Sequence, residues 1–230
     1  DPRDLHSFPT RRSSDLRLGG GTAPLYVEAY CPFVKELATI VTRGLNGETA
    51  TYPLVESIQE DHICHVVKAP ATVSPEIERR ALDLAMRAVI AVGGIGSFGV
   101  EMFLLEDGEV AFNELAPRVH NSGHYTIEAC ACSQFENHVR AVMGWPLGST
   151  RLLAPAAAMV NLLGHARGAG RPVGLERALA VPGAHVHIYG KAMAGAGRKM
   201  GHVTALGDSI EEALAMAQDA AAMIRFGAKP

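Results

Sequence analysis

The chain has 230 residues, 48% of them hydrophobic and 20% charged, with a net charge of −3. That is enough for one large domain or two small ones with a real core, and the mild acidity argues against a nucleic-acid binder, which needs a concentrated basic face. No apolar run approaches the roughly 20 residues that span a bilayer, and no apolar h-region follows the basic residues near the N-terminus, so no signal peptide is read. Cys31, Cys64, Cys130 and Cys132 form no CxxC pair, which suits reduced thiols and a cytoplasmic setting.

In chain order, residues 1–16 look foreign. His6–Leu16 resembles the translation of a sequencing-adapter oligonucleotide, or else a disordered basic leader, and residues 1–16 are set aside. Beyond Gly19-Gly20-Gly21, β-rich runs are predicted at Leu25–Cys31, Glu36–Thr42, Thr49–Glu56 and Ile63–Lys68. Ser74-Pro75-Glu76 opens a helix whose apolar positions are Ile77, Ala81, Leu84, Ala85, Ala88 and Val92, closed by Gly93-Gly94. A hairpin follows, Phe98–Leu105 with Val110–Leu115, turned at Asp107-Gly108. A second helix ends with Gln134–Met143. Past Trp145-Pro146 lies a smaller unit with strands near Ala158–Leu163, His185–Tyr189 and His202–Leu206. Its last helix is capped by Ser209, with Glu212 in capping-box position. This pattern predicts an α+β fold, divided into 17–150 and 151–230 behind the leader.

The run Asn113–His124 concentrates a carboxylate, a guanidinium, two imidazoles and two amides in a loop broken by Pro117 and Gly123. Such a loop on a rigid scaffold reads as the floor of an anion site. If Asp107-Gly108 is a two-residue turn, Glu101 lies opposite Glu114 on one face, with Cβ atoms about 5 Å apart. Like charges so placed repel, and burial would raise one pKa or demand a cation. A solvated acidic pair is the plain alternative. Apolar neighbours (Val100, Met102, Phe103, Phe112, Leu115) favour a cation, and two carboxylates beside a phosphate suit Mg²⁺.

Phe98-Gly99-Val100-Glu101 and Asn113-Glu114-Leu115-Ala116-Pro117-Arg118-Val119-His120-Asn121-Ser122-Gly123-His124-Tyr125-Thr126 resemble the signature of the N5-carboxyaminoimidazole ribonucleotide synthetases. These are ATP-grasp ligases of purine biosynthesis. Ser133-Gln134-Phe135-Glu136, Leu147-Gly148, Gly190-Lys191 and Gly197-Arg198-Lys199-Met200-Gly201-His202 extend the likeness over roughly residues 25–226.

The resemblance implies an ATP-grasp C-terminal subdomain followed by a small β-rich domain, and it assigns roles. Glu28, Ala29, Tyr30 and Cys31 would form the adenine-contacting hinge; Glu36 would accept from the ribose hydroxyls; Gln59 and Asn113 would contact the nucleotide. Glu101 and Glu114 would hold Mg²⁺. Arg118, His120 and Asn121 would line the bicarbonate and carboxyphosphate pocket, and Lys191, Arg198 and Lys199 would meet the substrate's ribose phosphate. Without the resemblance, Glu28 and Glu36 read as exposed strand carboxylates and 191–199 as a solvated basic loop. His124 reads as a loop-structuring histidine, and the pair His185 and His187, without a third ligand, implies no zinc site.

The implied activity is ATP- and bicarbonate-dependent carboxylation of 5-aminoimidazole ribonucleotide, in a homodimer. Alternatives are another ATP-grasp ligase, such as a formate-dependent glycinamide ribonucleotide transformylase, and a non-catalytic module on the same scaffold. The family's glycine-rich phosphate loop and its N-terminal nucleotide-fold domain have no counterpart in these residues, since Gly19-Gly20-Gly21-Thr22 lacks the strand and basic residue. The 230-residue chain is therefore expected to fold at least in part without turning over ATP. Bicarbonate-dependent phosphate release by the purified chain would contradict that.

Overall fold

A computed structural model describes residues 29–227. Leader residues 1–16, Glu28 and most of the expected Leu25–Cys31 strand lie outside that range. Ala29, Tyr30 and Cys31 are described and hold no strand pairing; Tyr30 is 87% exposed. They belong to a first unit, and a second compact unit begins at Phe33. The rest of the fold concerns that second unit.

Its frame is one antiparallel sheet. The strands are β1 (Phe33–Arg43), β2 (Thr49–Thr51), β3 (Val55–Glu60), β4 (Ile63–Ala69), β5 (Gly96–Leu105), β6 (Val110–Ala116), β7 (Ala156–Leu163), β9 (Ala184–Ile188) and β11 (Lys199–Gly207). They run in the order β6-β5-β1-β3-β4-β7-β11-β9, with β2 also on β1. The short strands β8 (Gly168–Ala169) and β10 (Met193–Ala194) pair separately. The helices are α1 (Pro75–Val92), α2 (Thr126–Ala129), α3 (Gln134–Val142), α4 (Leu175–Leu179) and α5 (Ile210–Ala222). Helices beside an antiparallel sheet make the expected α+β class. None of the described helices is long and apolar enough to cross a membrane.

Local chemistry explains the elements and three departures from expectation. Ser74 caps α1 by accepting from the Ile77 amide at 3.3 Å, and Gly93 ends it in the left-handed conformation. The buried stripe of α1 is Ala81, Ala85 and Val89, whereas Val92, expected inside, is 59% exposed in the last turn. The single strand expected over Thr49–Glu56 is broken at Tyr52-Pro53-Leu54. Pro53 has no N–H for the ladder, and both pieces then line one edge of β1, at Val41–Arg43 and at Glu36–Ala38.

The hairpin turn is also longer than expected. Leu105 N–H bonds the Glu109 carbonyl, closing a loop of Glu106, Asp107 and Gly108, with Gly108 at φ 83°. That register would pair Glu101 with Asn113. A bulge between Met102 and Glu101 inserts Asn113 and moves the register by one, so Glu101 pairs with Glu114 after all. Val100 and Met102 lie on the opposite face, under α1, and so do not bury the glutamates.

Two layers bury the core. Leu37, Val41, Phe98, Val100 and Met102 meet α1 on one face; Ile40, Tyr52, Val67, Met159 and Tyr125 fill the other. A third cluster packs α5 through Ala217 and Ala220 against Met200, Val203 and Ala205 of β11. Truncating Leu37, 1% exposed, leaves a cavity between α1 and β1. Leu37→Ala is expected to cost about 2–5 kcal/mol in urea unfolding, with the secondary structure retained.

Candidate active site

The acidic floor follows from strand register. Ala38 of β1 pairs with Glu101 of β5, and Glu101 pairs with Glu114 of β6. Directly opposed residues share a face, and Glu36, two residues before Ala38, lies on it too. Burial pushes the Glu36 carboxyl up, offset in part by a hydrogen bond from Gln59 and by nearby His62. Glu101 is also pushed up, first by burial, then by the charges of Glu114 and Glu36, while Lys199 and Arg118 pull it back. Among the described residues, Glu101, Glu114 and His120 form the one group of three or more metal-capable side chains, their ligand atoms within 4.8 Å of one another.

The anion loop is held over this floor by a buried amide. Gln134, fully buried at the start of α3, accepts from the His120 N–H at 2.9 Å and donates to the His120 carbonyl at 2.8 Å. The same amide nitrogen reaches His124 Nδ1 at 3.0 Å. Residues Asn121–Gly123 then form a 3₁₀ turn whose Ser122 N–H donates to His120 Nδ1. With Nδ1 accepting, neutral His120 carries its proton on Nε2, which lies 3.6 Å from Glu101 Oε1. Burial, with Arg118 and Lys199, lowers the His120 pKa to about 4, so the ring is neutral at pH 7. Gly99 makes this approach possible. A Cβ there would overlap His120 Cβ.

The C-terminal strands complete the site. Asn161 on β7 exchanges two amide hydrogen bonds with Asn121, at 2.8 and 2.9 Å, and donates to the Cys64 carbonyl. Lys199 Nζ donates to Asn121 Oδ1 at 3.0 Å. Lys191 Nζ donates to the Lys199 carbonyl and sits 5.6 Å from the Tyr189 ring centroid, whereas exposed Arg198 donates to the Met193 carbonyl. Desolvation and the charges of Arg198 and Lys199 lower the Lys191 pKa. Behind them the imidazole of His202 stacks on His187 at a centroid distance of 4.5 Å and lies tilted against His124 at 5.1 Å. Tyr189 hydroxyl bonds His202 Nδ1, and His187 bonds Glu128 at 2.6 Å.

The structure thus brings together Glu36, Gln59, Glu101, Glu114, His120, Asn121 and Lys199, with Asn113 beside Glu114 as the bulge residue. Gln59, Glu101, His120, Asn121 and Lys199 line a cavity of about 180 Å³. Arg118 is exposed and donates to the Val119 carbonyl. Lys199 belongs with Asn121 rather than merely beside Arg198. Sequence reading missed Gln134 and Asn161 as the residues that fix the loop. Their signals were polar residues in apolar places: an amide inside Ala156–Leu163, and one directly after the Ser133 cap. A larger hollow of about 830 Å³ between α4 and α5 gathers none of these groups.

A sheet face of opposed carboxylates beside a polar loop and lysines is of the class that can hold a cation and an anionic ligand side by side. Comparison with known proteins makes the class specific. The ATP-grasp domain profile matches residues 11–135 and the phosphoribosylaminoimidazole carboxylase C-terminal domain profile matches residues 157–216. Schizosaccharomyces pombe phosphoribosylaminoimidazole carboxylase is 50% identical over 197 residues, 84% of this chain and 36% of that protein. N5-carboxyaminoimidazole ribonucleotide synthetase from Thermotoga maritima superposes with TM-score 0.78 at 47% identity, covering 86% of this chain and 54% of that one. The Aspergillus clavatus enzyme in complex with ADP and 5-aminoimidazole ribonucleotide superposes with TM-score 0.81 at 42% identity, covering 90% and 56%. The chain belongs to the ATP-grasp family, in its N5-carboxyaminoimidazole ribonucleotide synthetase branch. It spans about a third of the fission-yeast relative and about half of the two structures.

The buried imidazoles give a pH dependence. Burial lowers His120 and His124 to about 4 and His202 to about 3, from 6.5. Protons therefore favour the unfolded chain. The stability these histidines contribute is complete above pH 6.5 and is lost as pH falls towards 4. Raised Glu36 and Glu101 act in the opposite sense, adding stability below pH 4.5 that is lost as pH rises through their folded values. Between pH 6.5 and 5 the histidines dominate, each contributing up to about 1.4 kcal/mol per pH unit. Urea unfolding across that range should show falling stability, and His202→Asn should remove about one histidine's share of the slope.

Proposed function

We propose that this chain carries the carboxylate floor and anion loop of an ATP- and bicarbonate-dependent carboxylase of 5-aminoimidazole ribonucleotide. The observation that carries the reading is convergence: Glu101 and Glu114 opposed on one face, with His120, Asn121 and Lys199 around one small cavity. Glu36 would accept from the ribose hydroxyls of ATP, and Gln59 and Asn113 would contact the nucleotide.

The donor set fits Mg²⁺, since two carboxylates able to approach one cation from neighbouring strands suit a hard ion that keeps several waters. Bound there by Glu101 and Glu114, Mg²⁺ would neutralise phosphate charge. The protein's own groups then position and exclude. Arg118 and Asn121 would hold bicarbonate for attack on the γ-phosphate, giving carboxyphosphate and ADP. Neutral His120 would donate from Nε2 without adding charge. Lys191, Arg198 and Lys199 would bind the ribonucleotide phosphate, setting its exocyclic amine towards the carboxyl carbon. The whole protein would work as a homodimer in the cytoplasm.

Titration calorimetry of the chain tests the division of labour. Lys191→Ala with Arg198→Ala should weaken 5-aminoimidazole ribonucleotide about tenfold or more and leave Mg·ADP unchanged. Glu101→Ala with Glu114→Ala should remove the Mg²⁺ dependence of ADP binding and spare the ribonucleotide. Binding of glycinamide ribonucleotide in place of the imidazole ribonucleotide would favour the transformylase alternative.

A further inference from the structure

The β3–β4 connection is a two-residue turn in which Glu60 pairs with Ile63. Asp61 and His62 are both left-handed, at φ 49° and 62°. Positive φ at both central positions marks the type I′ turn, which takes Asn or Asp first and Gly second. Asp61 suits its place. His62 stands where glycine would be least strained. A bulky side chain kept at such a position leads from the backbone outlier to a role for the side chain.

The position supplies that role. His62, with Ser57 and Gln59, lines both of two neighbouring hollows. One, of about 460 Å³, includes Glu36, and the other, of about 180 Å³, includes Glu101, His120, Asn121 and Lys199. His62 also lies close enough to Glu36 to favour its ionised form. If the ribose sits at Glu36 and the cation at Glu101 and Glu114, the phosphate chain crosses the border between the hollows. An imidazole N–H at that border meets phosphate oxygens, which accept only.

We propose that His62 is a binding residue for the phosphate chain of a bound nucleoside di- or triphosphate, kept at the expense of turn stability. This rests on the nucleotide reading above. The test follows the imidazole Cε1–H resonances of the 230-residue chain by NMR during titration with Mg·ADP, alongside melting curves and calorimetry of two variants. His62 is expected to shift on titration while His138, which accepts from the Ser97 N–H, stays still. His62→Gly should raise the melting temperature by about 2–4 °C and weaken Mg·ADP about tenfold. His62→Asn, whose short side chain tolerates the turn, should weaken binding without a comparable thermal gain.

Unchanged Mg·ADP affinity in His62→Gly, or a still His62 while His120 shifts, overturns the proposal alone. A lower melting temperature in His62→Gly would make His62 a structural residue and overturn it as well. If no resonance of the wild-type chain responds to Mg·ADP, the nucleotide reading fails and this inference fails with it.

Discussion

Three carboxylates on one face of one sheet repel one another, and the site is arranged around that repulsion. Glu36, Glu101 and Glu114 cannot all be charged and close without cations nearby. Lys199 and Arg118 supply part of the compensation for Glu101. Under the reading proposed above, a divalent ion would supply the remainder. An apolar residue at any of the three would quieten the floor and empty it of chemistry.

The same electrostatics explains the histidines. Rings beside Lys199 and Arg118, under packed side chains, lose their charge, so they can bond and stack without competing for an anion. Gln134 then does with two backbone bonds what a charged residue would do at greater desolvation cost. It fixes His120 in place while leaving the cavity's charge to Lys199. That lysine comes from a strand nearly eighty residues further along, which ties the anion loop to the C-terminal strands through Asn121.

Much of this was legible in the residues. Caps at Ser74 and Ser209 and the glycine after α1 are short-range signals, and they mark real helix ends. The opposed glutamates were legible too, but through two errors that cancel: the turn holds one more residue than expected, and the Asn113 bulge restores the pairing. Bulges answer to tertiary packing, so turn chemistry alone cannot place them. Val92 was misjudged because tertiary packing decides which apolar positions of a helix's last turn are covered, whereas the break at Pro53 had a local signal, the missing proline N–H. Gln134 and Asn161 were invisible as partners because their contacts span 14 and 40 residues.

The two regions matched by separate family profiles share one ladder: β4 pairs with β7 from Val66–Val160 to Ala69–Ala157. A change of sequence module here is not a change of mechanical body. To swing Lys199 away from Glu101 about a pivot near residue 150, the protein would have to tear backbone hydrogen bonds in the middle of a sheet. The carboxylates and the lysines therefore travel as one anvil.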